Sequence, residues 1–365
     1  MNAAELDRYH AVPKPIGGGW AGREIDPAQF AEDPAVSAWF DVPYANQTFT
    51  QTLDVIVPTH LPAGLGGSAG ASGAAIGAAS DEANGPFPVI FYIPGGGWVS
   101  GDKRAATMTG IYQAPRYGFA LAAVNYRYAT EALWPAQIFD VKAALRFVKA
   151  HAREFNIDPE RVVVWGNSAG GHLANMLAAT HDTQILEDKY LGNPEQDCRV
   201  QGLISWYAIT DLLEQDRADQ LGGKMHPLDP PHPQHAGPET PDYDREGKLD
   251  IQARVVGFVP RHLPQAAAMA SPICFVQNGF PPALYQHGMD DSCVPWTQSV
   301  AMARHVNDVC GEGRASFELF EGGHGAALIK ADENLRRCFA FARSAVGLPD
   351  TQPTAMSGAS NLRIR

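Results

Sequence analysis

Val162-Val163-Val164-Trp165-Gly166-Asn167-Ser168-Ala169-Gly170 joins a run of apolar residues to a corner of small ones, and a helix-compatible stretch follows at once. Four bulky apolar residues in succession suit a strand covered on both faces. Gly166 and Gly170 keep side chains out of a crowded strand-to-helix turn, which gives Ser168 the setting of a nucleophile elbow. A serine hydroxyl is a weak nucleophile near neutral pH and needs a base within reach. On such a corner the N–H of Ala169 points toward the place where an oxyanion would develop.

Strand and helix patterns alternate on either side of this corner. Residues 51–57, 87–93, 119–125, 161–167, 200–208, 282–286 and 316–320 read as strands, and 135–153, 169–179, 297–309 and 327–346 as helices. Within the first of these helices Ile138, Val141, Leu145 and Val148 recur at helical spacing, and Pro135 suits a first turn. The alternation predicts an α/β fold with a mostly parallel central sheet, helices on both faces, and functional loops at the carboxyl ends of strands. A chain of 365 residues with 45% hydrophobic content can bury a large core within one such domain.

Two loops downstream complete a constellation. His287-Gly288-Met289-Asp290-Asp291-Ser292-Cys293-Val294-Pro295 follows one strand and supplies a carboxylate, and Glu321-Gly322-Gly323-His324-Gly325 follows the next and supplies a histidine. Taken singly, each is an ordinary surface loop. Taken in the order Ser, Asp, His, all at strand ends, they match the chain order of an α/β-hydrolase. Upstream, 87–93 runs into Pro94-Gly95-Gly96-Gly97-Trp98, where no Cβ intrudes, so the N–H groups of Gly96 and Gly97 join that of Ala169 as candidate oxyanion donors. Trp98 and Asn167 are candidate substrate contacts beside them.

The segments Pro94 to Lys103, Val124 to Arg127, Pro135 to Phe147, Trp165 to Ala174 and His287 to Pro295 resemble bacterial carboxylesterases of the α/β-hydrolase superfamily. The similar groups are the hormone-sensitive-lipase-like esterases and the feruloyl and acetyl-xylan esterase-like enzymes labelled BD-FAE. The resemblance covers residues 40–346. It implies a capped hydrolase fold that cleaves a small or medium ester, aromatic or acetylated, through an acyl-enzyme with no cofactor or metal. Ser168 would attack, His324 would be the base, and the family's His-Gly-x-x-Asp-x-x-Val-Pro pattern would place the acid at Asp291 rather than Asp290. Neighbours in an extended segment point to opposite sides, which also favours one of the pair alone. The chain departs from the family's His-Gly-Gly-Gly by carrying Pro94, which offers neither N–H nor polar side chain and braces the loop only by fixing φ. An amidase of the arylformamidase type would share every catalytic residue. A peptidase of the prolyl-oligopeptidase type would need room for a propeller, and a non-catalytic ligand-binding protein on the same fold would have no use for His324.

The remaining features bound the function. A net charge of −12 argues against nucleic-acid binding, so the expected partner is a small ester, with a homodimer compatible. The first residues lack a secretory pattern and no stretch is apolar enough for a membrane span. The five cysteines are odd in number and scattered, which favours a cytoplasmic setting. Cys293 reads as a bystander, and Asp211 as a helix cap. His226, His232 and His235 are separated by prolines, a poor arrangement for a metal. The domain reading is an arm or cap over 1–45, a hydrolase domain over 46–347, and a tail over 348–365. Within the domain, 63–85 is expected to be a flexible Gly/Ala/Ser-rich loop and 210–282 a lid-bearing insertion.

Overall fold

The computed structural model describes residues 1–10, 24–62, 65, 84–220, 251–350 and 363. Its strands are β1 (Val36–Pro43), β2 (Thr52–Pro58), β3 (Phe87–Ile93), β4 (Ala120–Val124), β5 (Ile157–Asn167), β6 (Gly202–Trp206), β7 (Ala283–Gly288) and β8 (Ala315–Phe320). They form one sheet in the order β1-β2-β4-β3-β5-β6-β7-β8. β1 and β2 pair antiparallel, as do β2 and β4, and every other pairing is parallel. The helices that cover it and shape the site are α1 (Ala136–Ala150), α2 (Ala169–Thr180), α3 (Leu212–Gln220), α4 (Ile251–Val256), α5 (Thr297–Cys310) and α6 (Asp332–Ala345).

The continuous apolar runs are explained by burial on both faces. In β3, Val89, Phe91 and Ile93 pack into one core with Ile138 and Leu145 of α1, Leu173 of α2 and Met302 of α5. The intervening Ile90 and Tyr92 pack into the other with Ile111, Tyr112 and Phe339 of α6. Every residue of β3 is therefore buried. Alternation of side chains across the sheet makes this division automatic, and each such side chain contributes roughly 1.5–3 kcal/mol.

β3 and β5 are neighbours at the middle of the sheet, and from β3 the chain leaves to β4 on one side before returning to β5 on the other. The loops after β3 and β5 thus diverge from a shared crevice at the carboxyl ends of parallel strands, the usual place for a site in such sheets. The chain ends of β7 and β8, paired in parallel, open on the same side.

Several expectations need correction. Residues 36–43, read as part of an arm, form the antiparallel edge strand β1, with Trp39 packed edge-on against Phe155, so the sheet begins before residue 46. The predicted helix over 327–346 is two elements, a 3-10 turn at Ala327–Lys330 and α6, because extended Ala331 breaks it and Asp332 and Glu333 open a new helix. β5 starts four residues earlier than the strand read from 161, at Ile157. Asp211 does cap α3, its Oδ1 accepting from the N–H groups of Leu213 at 2.9 Å and Glu214 at 3.3 Å. Trp20, most of the Gly/Ala/Ser-rich loop, the histidines 226, 232 and 235, and most of the tail lie outside the described residues. Among the described residues no helix is long and apolar enough to cross a membrane.

Candidate active site

Ser168 sits between β5 and α2 at φ 53° and ψ −123°, a conformation that few non-glycine residues adopt. Its own N–H donates to the carbonyl of Trp206 at 2.9 Å, continuing the β5–β6 pairing into the corner. The strain is held by small neighbours: a Cβ on Gly170 would lie 2.1 Å from the carbonyl oxygen of Ile93.

From Ser168 a hydrogen-bonded path runs inward. Ser168 Oγ lies 2.9 Å from His324 Nε2, and His324 Nδ1 lies 2.7 Å from Asp291 Oδ2. Asp291 is buried at the end of β7, and its Oδ1 accepts from the N–H groups of Cys293 at 2.8 Å and Val294 at 2.9 Å. His287 Nε2 lies 3.1 Å from Asp291 Oδ2 and 2.9 Å from the Val294 carbonyl, both acceptors, so that nitrogen carries a hydrogen. Burial works to raise the Asp291 pKa, but the hydrogen bonds from His287 and His324 and the charge of His324 outweigh it and hold the carboxyl well below the usual range. Asp290 is exposed, and its Oδ2 accepts from the N–H of Gly322 at 3.2 Å, tying the two loops together. The thiol of Cys293 also lies near Asp291 and His324, within 4.8 Å of both. With four donors already on Asp291, its lone pairs are used, which leaves little for a cation.

The glycine loop after β3 passes over Ser168. Gly96 and Gly97 have φ of 132° and 60°, and a Cβ on Gly96 would lie 2.1 Å from the carbonyl oxygen of Ser100. Both glycines and Ala169 line a cavity of about 290 Å³ beside Ser168 and His324. Among the described residues, no hydrogen bond uses the N–H of Gly96 or Gly97. Ala169 opens α2, where the first N–H groups have no partner within the helix.

Tertiary contacts brace this loop in place of the family's histidine. Tyr126 donates its hydroxyl to the Pro94 carbonyl at 3.0 Å, and Asn167 Oδ1 accepts from the Gly95 N–H at 3.1 Å and from the Tyr92 hydroxyl at 3.0 Å. Trp98 Nε1 donates to His172 Nδ1 at 3.3 Å, while His172 Nε2 donates to the Ala270 carbonyl at 2.7 Å. The Tyr128 hydroxyl donates to the Gly101 carbonyl. At the far end Lys103 and Arg104 are buried against Asp41 and Asp54, with Lys103 Nζ 2.6 Å from Asp41 and Arg104 Nε 2.6 Å from Asp54. Trp98 and Asn167, expected to touch substrate, line the cavity but direct their polar atoms into the protein, so their placement is that of braces. His172 was missed as a brace in the sequence. Its signal was its place one turn into α2, on the helix that follows the elbow.

Described parts of the 210–282 excursion reach the cavity through Gln215 of α3 and Ile251 of α4, and a Cβ on Gly97 would meet Ile251 Cδ1 at 2.0 Å. None of the described residues before 45 lines it, so that part of the N-terminal segment covers the sheet rather than Ser168. Leu6 packs in the main core, and Ile25 pairs its N–H with the Arg104 carbonyl at 2.8 Å.

The sequence profile of the BD-FAE family matches residues 78–306, more than half of the chain. The chain belongs to the BD-FAE family. The BD-FAE match includes the glycine loop, Ser168 and Asp291 and ends before His324, which the parallel pairing of β7 and β8 brings back to the site. Among curated relatives, "Probable carboxylic ester hydrolase LipM" of Mycobacterium tuberculosis is 32% identical over 62% of this chain and 47% of its own length. "Esterase LipQ" of the same organism is 27% identical over 66% of this chain and 50% of its own. The chain spans about half the length of the curated relatives it matches. A solved structure described as a truncated form of carbohydrate esterase from gut microbiota shares the fold, with a TM-score of 0.62 and 24% identity over 86% of this chain and 98% of that one.

His172 makes the brace sensitive to acid. Burial pulls its imidazole down to about 4, with the Ala270 carbonyl opposing. The folded value lies below the unfolded one, so the stability is present above the unfolded value and is lost as pH falls toward the folded one. Urea unfolding is expected to lose roughly 3 kcal/mol between about pH 7 and pH 4 through this group. His172→Gln should lack that component, and parallel pH dependences in the two proteins would refute it.

Proposed function

We propose that this BD-FAE protein hydrolyses carboxylic esters through a covalent acyl-enzyme. The observation that carries the reading is the continuous hydrogen-bonded path from Ser168 Oγ through His324 to Asp291, at a cavity that Gly96, Gly97 and Ala169 also line. The relatives named as ester hydrolases agree with it. In this mechanism His324 Nε2 takes the Ser168 proton as Oγ attacks the ester carbonyl. The three N–H groups form an oxyanion hole for the tetrahedral intermediate, and Asp291 keeps His324 Nδ1–H aligned and balances the imidazolium. His324 then protonates the departing alcohol, and a water molecule, deprotonated the same way, releases the acid.

The cavity volume and its lining by Met108, Ile209, Ile251 and Val294 suit a small or medium ester with an apolar part. All five cysteines are free, in keeping with a reducing, cytoplasmic setting. Labelling by a fluorophosphonate probe, with the modification mapped to Ser168, tests the nucleophile. A panel of aryl esters assayed beside an N-formyl aromatic amine then separates an esterase from an arylformamidase. Absence of labelling together with absence of turnover would leave a non-catalytic binding protein.

Turnover is expected to fall as pH is lowered, because a protonated His324 cannot take the Ser168 proton. Initial rates on a fast-leaving aryl ester check this. A rate flat between roughly pH 5 and pH 9, with chemistry limiting, would contradict the role given to His324.

A further inference from the structure

Among the described residues that line the cavity beside Ser168, Lys330 is the single lysine or arginine, and no carboxylate is present. It ends the 3-10 turn that follows the His324 loop. A methyl group built on Gly325, the residue after His324, would lie 3.4 Å from Lys330 Nζ and 3.3 Å from the Tyr207 hydroxyl oxygen. Tyr207 in turn packs its ring edge-on against His324, with centroids 4.7 Å apart. The ammonium therefore lies beside the residue that follows His324, the group that would handle the proton.

No hydrogen bond or ion pair to a described residue accounts for this charge. Other buried cations have close partners: Lys103 with Asp41 at 2.6 Å, Lys149 with Asp197 at 2.6 Å and Arg127 with Asp140 at 2.7 Å, while Lys142 Nζ donates to the Thr180 carbonyl at 2.6 Å. Lys330 is half-buried, and burial pulls its pKa below the usual lysine value, with no carboxylate among the described residues to raise it. The chain as a whole carries a net charge of −12, so a cation that is single among the described lining residues runs against its general charge. A partly desolvated ammonium without a counter-charge is unfavourable, and an incoming anion would relieve that cost.

On the esterase reading above, we propose that Lys330 is a specificity-determining residue that takes an anionic group of the substrate, so that the preferred esters carry a carboxylate. The ester carbonyl would lie at Ser168 while the carboxylate meets the ammonium at the cavity wall near Gly325. The contact forms on binding, so it acts chiefly through KM.

Two matched pairs of substrates test it. Para-nitrophenyl hemisuccinate against para-nitrophenyl butyrate places the carboxylate on the acyl half. Meta-acetoxybenzoate against phenyl acetate places it on the alcohol half. The native protein is expected to favour the anionic member of at least one pair by about tenfold or more in kcat/KM, mostly through KM, with the preference shrinking as salt is added. Lys330→Met should reduce that ratio by about tenfold, Lys330→Arg should keep most of it, and Lys330→Glu should reverse it. Equal rates within each pair, or a ratio unchanged by Lys330→Met, would overturn the proposal. Calorimetric titration of the Ser168→Ala protein with monomethyl succinate and dimethyl succinate separates this from the esterase reading. Binding of the anion that exceeds binding of the neutral diester, and that is lost on adding Lys330→Met, supports the anion site even where no ester is cleaved. Equal binding of the two refutes it.

Discussion

Replacing Ser168 by alanine is expected to lower ester turnover by about a millionfold, the scale seen when a serine nucleophile is removed from a working triad. The change deletes one atom, Oγ, which lies 2.9 Å from His324 Nε2. Everything that holds the corner stays: the Ser168 N–H to the Trp206 carbonyl, the His172 N–H to the Ser168 carbonyl, and the close approach of Gly170 to Ile93. Alanine has the same backbone restrictions as serine at φ 53°, so the thermal unfolding midpoint should move little. Turnover and a melting curve on the same preparation check both halves. Retention of more than about a tenth of the activity would remove Ser168 from the mechanism.

Asp291→Asn should come next in size, a loss of about ten-thousandfold in kcat. All four groups around the Asp291 carboxylate are hydrogen-bond donors: His287, His324 and the N–H groups of Cys293 and Val294. An amide in that position must turn its NH₂ toward a donor whichever way it is flipped, and it carries no charge to balance the imidazolium. The His324 ring then loses either its tautomer or its alignment. Asp290→Asn is the control, because Asp290 is exposed and its side chain accepts one 3.2 Å bond from Gly322 that an amide oxygen can also accept. Comparable losses in the two variants, or a loss confined to Asp290→Asn, would mean that the acid has been misplaced.

These two expectations differ in how they were reached from the sequence. The elbow is a local object: a buried strand, a corner of small residues and a helix start lie within a few positions, so the same short stretch specifies both the turn and the residue upon it. The same holds for β3 and for the order of the loops bearing Asp291 and His324, since apolar runs and strand ends are read from neighbours in the chain. The choice of Asp291 over Asp290 came from a family pattern, and the four donors that surround its carboxylate are a separate, geometric reason for the same choice.

What the sequence left open depends on partners far apart in the chain. Pro94 was read as bracing the loop only by fixing φ, yet the carbonyl of that same residue is held by Tyr126, 32 positions on, and the loop is pinned again by Asn167 and His172, 72 and 74 positions from the groups they bind. Residues 36–43 read as an arm because an edge strand has no periodic run of its own and is made a strand only by pairing with β2. Lys330 carried no signal, since a lysine near a helix start is by default a solvated one. The amino-acid order by itself determined the layered α/β sheet and the residue types set at its strand ends, because hydrophobic periodicity and turn chemistry act over a few residues. Tertiary structure alone decided how the glycine loop is braced, which donors surround Asp291, and that the Lys330 ammonium lines the cavity, because hydrogen bonding and desolvation depend on distances that only the folded chain defines.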